Sequence, residues 1–136
     1  MANRWLFKTE PGAYSFQQLQ KDKKTVWDGV KNNLALKHLS GIKGGDLILM
    51  YHTGDEKAAV GIARAAGGAY PDPQKKDPKL LVVDIEPVKA LSRPVALAEM
   101  RGNGRLAKFD LLRLPRLSVM PVSEEQWTVI EGMAGR

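Results

Sequence analysis

The chain has no cysteine among its 136 residues and only two histidines, His38 and His52. The first absence excludes disulfides, thiolate zinc sites, iron–sulfur clusters and cysteine nucleophiles together. Two histidines are too few for a histidine-rich metal centre, and no metal or cofactor is expected. Long apolar runs are also lacking. The longest, residues 47–51, falls far short of the roughly 20 residues that a membrane span needs. Near the start, Arg4, Lys8 and Glu10 interrupt the apolar stretch, so no signal-peptide core is expected. The sequence contains no GxGxxG or GxxxxGK[ST] loop, no GxSxG elbow and no HExxH pair. The glycine-rich stretch 40–45 is predicted to lie between a helix and a strand, whereas anion binding requires a loop leading into a helix N-terminus.

What the chain does have is positive charge. Twenty-one Lys and Arg against 15 Asp and Glu give a formal charge of +6, which suits a polyanionic partner. The excess is uneven: residues 1–45 carry eight basic and three acidic groups, and residues 93–116 carry six and two. The stretch between them holds six basic and seven acidic groups. If folding joins the two basic blocks, they form one basic face; otherwise they are solvated surface. The length fits one domain over residues 1–136, and 43% hydrophobic residues suffice for one core.

Apolar side chains on both faces of residues 46–53 predict a central strand covered on both sides. Further strands are expected at 4–9, 58–66 and 80–88. A proline-rich loop is expected over 67–78. Ser15 with Gln18, and Ser123 with Gln126, are capping boxes that start helices. Asn32 or Asn33 caps another helix, with Leu34, Leu36 and Leu39 as its apolar positions and Gly41 near its end. A short helical turn is expected at 96–101. The predicted class is α+β, a mixed sheet curling toward a small barrel with short peripheral helices.

Among the aromatic residues, Trp5 and Trp127 sit in apolar patterns and are expected in the core. Trp27 differs, because Asp28, Gly29 and Asn32 follow it closely. An indole face beside short polar side chains suits a flat heterocycle, although packing is the simpler role. His52, at the end of the central strand, either supports the following turn by hydrogen bonding or contributes a polar group to a pocket at that end.

Taken in order, the runs WLFKTEP (5–11), WDGVKN (27–32), GDLILMYHTG (45–54), VGIA (60–63), AYPDP (69–73) and RLSVMPVSEEQW (116–127) resemble the EVE-domain family. They span nearly the whole chain. The resemblance implies a PUA-like curved mixed β-barrel whose pocket accepts a base extruded from DNA or RNA. Typically that base carries a methyl or hydroxymethyl group, as methylcytosine does. It implies a reader rather than a catalyst, nuclear in eukaryotes and cytoplasmic in bacteria. Lys8, Thr9 and Glu10 stand at the family's Lys-Ser-Glu run, and Trp27, Asp28, Gly29, Val30, Lys31 and Asn32 at its Trp-Asp-Gly-Val-(Arg/Lys)-Asn run. Tyr51, His52 and Thr53 stand at its Tyr-His-Ser run. The match departs at Asn33 and Leu36, where an aromatic residue and an arginine are common, and between residues 72 and 82, where the segment is short.

On that resemblance Trp27 stacks on the base, and Asp28 and Glu10 accept from amines or ring N–H groups. Thr9, Asn32 and Thr53 donate or accept, and His52 sets an edge contact. Lys8, Lys31 and Lys37 from the first basic block, with Arg101, Arg105 and Arg113 from the second, are phosphate contacts. Reading one methyl group rests on about 1 kcal/mol of apolar contact, so selectivity is modest. Two other readings remain open: an RNA-binding module that recognises shape, and an enzyme acting on a modified nucleoside through Lys8, Glu10 and His52.

Overall fold

In the computed structural model, which describes residues 3–135, the apolar run 47–51 becomes the buried middle of a sheet. That strand, β3 (Leu47–His52), pairs in parallel with β1 (Arg4–Thr9) and antiparallel with β4 (Ala58–Ala65). In turn β4 pairs with β6 (Leu81–Ala96), which also carries β2 (Thr25–Trp27). On the far side β7 (Val119–Pro121) pairs with β1. The strand order is β2-β6-β4-β3-β1-β7, with β5 (Tyr70–Pro71) added on β6. The sheet is mixed and curls into a half-barrel ringed by short helices.

Register shifts between Ala59 and Gly61, and between Ile62 and Ala63, give β4 the extra bend that such a curl requires. Gly61 lies in this bend, and a Cβ there would overlap the edge of the Phe16 ring. The glycine therefore lets the helix side chain seat directly on the strand.

Side-chain caps start three helices where the sequence predicts them, but at Ser15 only half of the expected capping box forms, because the Gln18 side chain donates to Asp22 instead of reaching back. The Ser15 hydroxyl accepts from the Gln18 N–H ahead of α1 (Phe16–Asp22). Asn32, rather than Asn33, accepts from the Ala35 N–H ahead of α2 (Asn33–Ser40). After β6 the chain passes through α3 (Leu97–Arg101), a 3₁₀ turn (Gly104–Leu106) and α4 (Asp110–Arg113). The reciprocal Ser123–Gln126 box opens α5 (Glu124–Met133). Trp5 and Trp127 are buried in the core. The Trp5 indole N–H donates to Asp46, a buried carboxylate that also accepts from the Asn3 and Lys43 backbone N–H groups.

Several expectations change. The strand expected over 80–88 continues to Ala96, because Pro87 falls opposite Ala63 at a register shift, where the ladder is already interrupted. The stretch expected to be loop throughout contains β5, where Tyr70 and Pro71 pair with Val82 and Leu81. The Tyr70 hydroxyl donates to Asp84 at 2.6 Å and ties that pairing down. Leu34 is not on the buried face of α2; it is 42% exposed, and Ala35, Leu36 and Leu39 face the core. Successive helical residues turn by about 100°, which carries Leu34 off the stripe set by Ala35 and Leu39. No helix among the described residues is long and apolar enough to cross a membrane.

Candidate functional site

At the end of β1 the chain turns through residues 10–14 into α1. The Thr9 hydroxyl donates to the Tyr14 carbonyl at 2.7 Å, and the Ala13 and Tyr14 N–H groups both donate to the Glu10 carbonyl. These bonds fix the turn. Across from it, β2 holds Trp27 opposite Val83 of β6. The Phe7 ring packs against the indole at 5.2 Å between centroids, and Tyr14 meets it edge-on at 6.4 Å. Held on two sides, the indole is a rigid wall that is 9% exposed.

Between the turn and β2 lies a cavity of about 420 Å³, lined by Thr9, Ala13, Tyr14, Thr25, Val26, Trp27 and Asp28. Among the described residues the one charged side chain lining it is the Asp28 carboxylate, and Thr9, Tyr14 and Thr25 add hydroxyls. Burial pushes the Tyr14 phenol pKa up, the Thr25 side chain partly offsets this and the neighbouring Asp22 raises it again; the phenol donates to Asp22 at 2.8 Å. An aromatic wall beside a carboxylate and hydroxyl oxygens suits a flat group bearing N–H donors. Gly29, at φ +78°, makes the left-handed turn that takes the chain from the cavity rim to buried Val30.

A second basin lies on the other face of β1. Lys8 pairs with Tyr51 and Thr9 with His52, so alternation sends each pair of side chains to opposite faces. Lys8, Tyr51, Thr53, Lys57 and Arg101 line a cavity of about 170 Å³ closed by Pro115. The Lys8 ammonium donates to the Pro115 carbonyl at 2.7 Å, and burial lowers its pKa. Burial raises the Tyr51 pKa, and the nearby Arg101 cation partly offsets this. Pro115 is shared with a third cleft, of about 330 Å³, between Asn32 and Leu34 on one side and the 113–117 segment on the other. The two basic blocks therefore meet, at Lys8 and Arg101 and again where Leu34 faces Arg113 and Arg116.

The residues singled out from the sequence divide among these places. Thr9, Trp27 and Asp28 share the first cavity. Tyr51, Thr53, Lys8 and Arg101 share the second. Glu10 is exposed between them, and its carboxylate accepts from Thr53 at 3.4 Å. The Asn32 side chain is engaged as the cap of α2 while lining the third cleft. Arg113 is paired with Asp110 at 2.9 Å and Arg105 with Glu125 at 3.4 Å; Lys31 and Lys37 are exposed.

His52 is 1% exposed and faces neither cavity. Its Nε2 accepts from the Phe16 backbone N–H at 3.0 Å, so that nitrogen carries no proton. The proton is therefore on Nδ1, which donates to Glu56 at 2.7 Å. Nε2 thus holds the start of α1 to β3, and Nδ1 ties the end of β3 to the turn before β4. No sequence motif singles out Tyr14, Thr25 or Lys57; of these only Tyr14 carries a local signal, as the aromatic residue just ahead of the Ser15 cap.

Comparison with known proteins agrees with this architecture. Residues 3–133 match the family model of the EVE domain. Thymocyte nuclear protein 1 of Rattus norvegicus is 29% identical, over 96% of this chain and 73% of its own length. An NMR structure of a Rhodopseudomonas palustris protein is 38% identical with a TM-score of 0.94, covering 98% of this chain and 94% of that one. A crystal structure of the human THYN1 protein in complex with 5-methylcytosine-containing DNA is 27% identical with a TM-score of 0.89, covering 99% of both chains. The half-barrel is thus the PUA-like fold of these neighbours. With nearly its full length matched by the family model, the chain belongs to the EVE-domain family.

Proposed function

We propose that this protein binds nucleic acid and receives one extruded, modified base in the cavity walled by Trp27. The observation that carries the reading is the cavity itself: an immobilised indole, one carboxylate and three hydroxyls around about 420 Å³. Family membership and the human relative's complex with 5-methylcytosine-containing DNA support it. Trp27 stacks on the base, and Asp28 accepts from an exocyclic amine. Thr9 and Thr25 complete the base edge. Extrusion costs a few kcal/mol, which stacking of about 1–3 kcal/mol and edge hydrogen bonds offset together. The basin of Lys8, Lys57 and Arg101 takes a backbone phosphate, with the Tyr51 hydroxyl as a further donor.

The site gives less support to catalysis. Of the acid–base groups considered, His52 is locked between Phe16 and Glu56, and the Lys8 ammonium is held by the Pro115 carbonyl. A shape-reading RNA module remains the other outcome of the test. DNA and RNA oligonucleotides bearing assorted modified bases are titrated at two salt concentrations against wild type and Trp27→Ala. The proposal expects one modification to bind more tightly than the plain oligonucleotide, and Trp27→Ala to abolish that preference while leaving salt-sensitive binding. Equal binding across the panel would overturn it.

A further inference from the structure

The third cleft has no role in the base-reading scheme, yet its chemistry is specific. Its floor and walls are apolar: Leu34 on α2, then Leu114, Pro115 and Leu117. Leu34 stands out as a large aliphatic side chain 42% exposed on an otherwise polar helix surface. Arginines rise at the rim. Arg113 is oriented by its bond to Asp110 at 2.9 Å, and Arg116 is exposed. The cleft also adjoins the Lys8–Arg101 basin, since Pro115 forms a wall of both.

From this we infer that the cleft is a second nucleotide subsite, holding the base next to the extruded one. The inference rests on the reading that the protein binds nucleic acid. Apolar walls with an arginine plane suit the face of an unstacked base of any identity, since every base presents a π surface. The phosphate joining the two nucleotides reaches the Lys8–Arg101 basin, and the next one reaches Arg116. Charge complementarity and the shared Pro115 wall with the basin favour a nucleotide over an apolar peptide or a second copy of the chain. The protein then holds a two-nucleotide step rather than a lone base.

The test uses fluorescein-labelled single-stranded DNA heptamers with a central 5-methylcytosine. Each flanking base is replaced in turn by an abasic residue, which keeps every phosphate and therefore the charge. Wild type should lose about tenfold in affinity at one flank and little at the other. Leu34→Ser, at an exposed position and checked by thermal melting, should bind the intact heptamer about tenfold more weakly and be indifferent to the abasic residue. Retained sensitivity in Leu34→Ser, or none in wild type, overturns the subsite. So does a concentration-dependent dimer that Leu34→Ser dissolves without any abasic effect. A parallel series with central cytosine separates the two ideas. If the two series coincide, base reading fails, while the abasic effect still reports on the cleft.

Discussion

Replacing His52 by alanine should damage the fold and spare binding, and the expected size follows from its two hydrogen bonds. The Phe16 N–H donates to Nε2 at 3.0 Å where Phe16 is 1% exposed, so losing the ring leaves a buried donor without its protein acceptor. An unpaired buried N–H costs about 1–3 kcal/mol. The missing ring leaves a void between α1 and β3 that adds about 1–2 kcal/mol. Glu56 is 41% exposed on its side chain and regains water when Nδ1 is removed, so its share is small. The total, about 3 kcal/mol, is a large part of the 5–15 kcal/mol of an ordinary domain and lowers the midpoint of melting by roughly 10 °C. In His52→Gln the amide oxygen can lie near the Nε2 position and accept from Phe16, which should recover about half of the loss. Urea unfolding followed by circular dichroism measures both variants. Oligonucleotide affinity is read well below the transition and should stay within about twofold of wild type, since the ring faces neither cavity. A loss of stability under about 1 kcal/mol, together with a tenfold loss of affinity, would refute the structural role and place His52 in the site.

Three further outcomes are expected. Asp46→Ala removes the acceptor of the Asn3, Trp5 and Lys43 N–H groups and should cost about 3–5 kcal/mol in urea unfolding, with Asp46→Asn less harmful because it keeps one acceptor oxygen. Gly61→Ala drives a methyl into the Phe16 ring and should cost about 1–3 kcal/mol; a double-mutant cycle with Phe16→Leu should return part of it. Arg101→Ala should weaken modified and plain oligonucleotides alike and reduce the slope of log K against log salt by about one.

The parts of the fold legible in the sequence are those with a local cause. Ser15, Asn32 and Ser123 show as caps because the residues they bond lie three positions on. β3 shows because both of its faces are covered, which leaves a continuous apolar run. By contrast β2 and β7 are three residues each, too short to display a period, and exist because β6 and β1 offer them edges. The continuation of β6 past Pro87 depends on a register shift in its partner.

The site divides in the same way. Trp27, Asp28 and Thr9 come together in one cavity, although only Trp27 and Asp28 are neighbours in sequence. His52 occupies a strand end, where side chains commonly emerge, but its pairing with Thr9 points it beneath the start of α1. No local pattern reveals which face of a strand a later helix covers. The two basic blocks illustrate the same point, since their meeting at Pro115 depends on contacts between residues far apart in the chain.

The most direct measurement of base reading uses the three indoles, each in a distinct setting. The Trp5 N–H is bonded to Asp46, the Trp127 ring lies under Arg4, and Trp27 walls the cavity. In a ¹⁵N–¹H titration with single-stranded DNA carrying one 5-methylcytosine, the Trp27 indole signal should shift strongly, and more than with plain cytosine, while Trp5 and Trp127 stay in place. A Trp27 signal that stays still while the oligonucleotide binds, or moves equally with plain cytosine, would contradict the reading of a modified base at this wall.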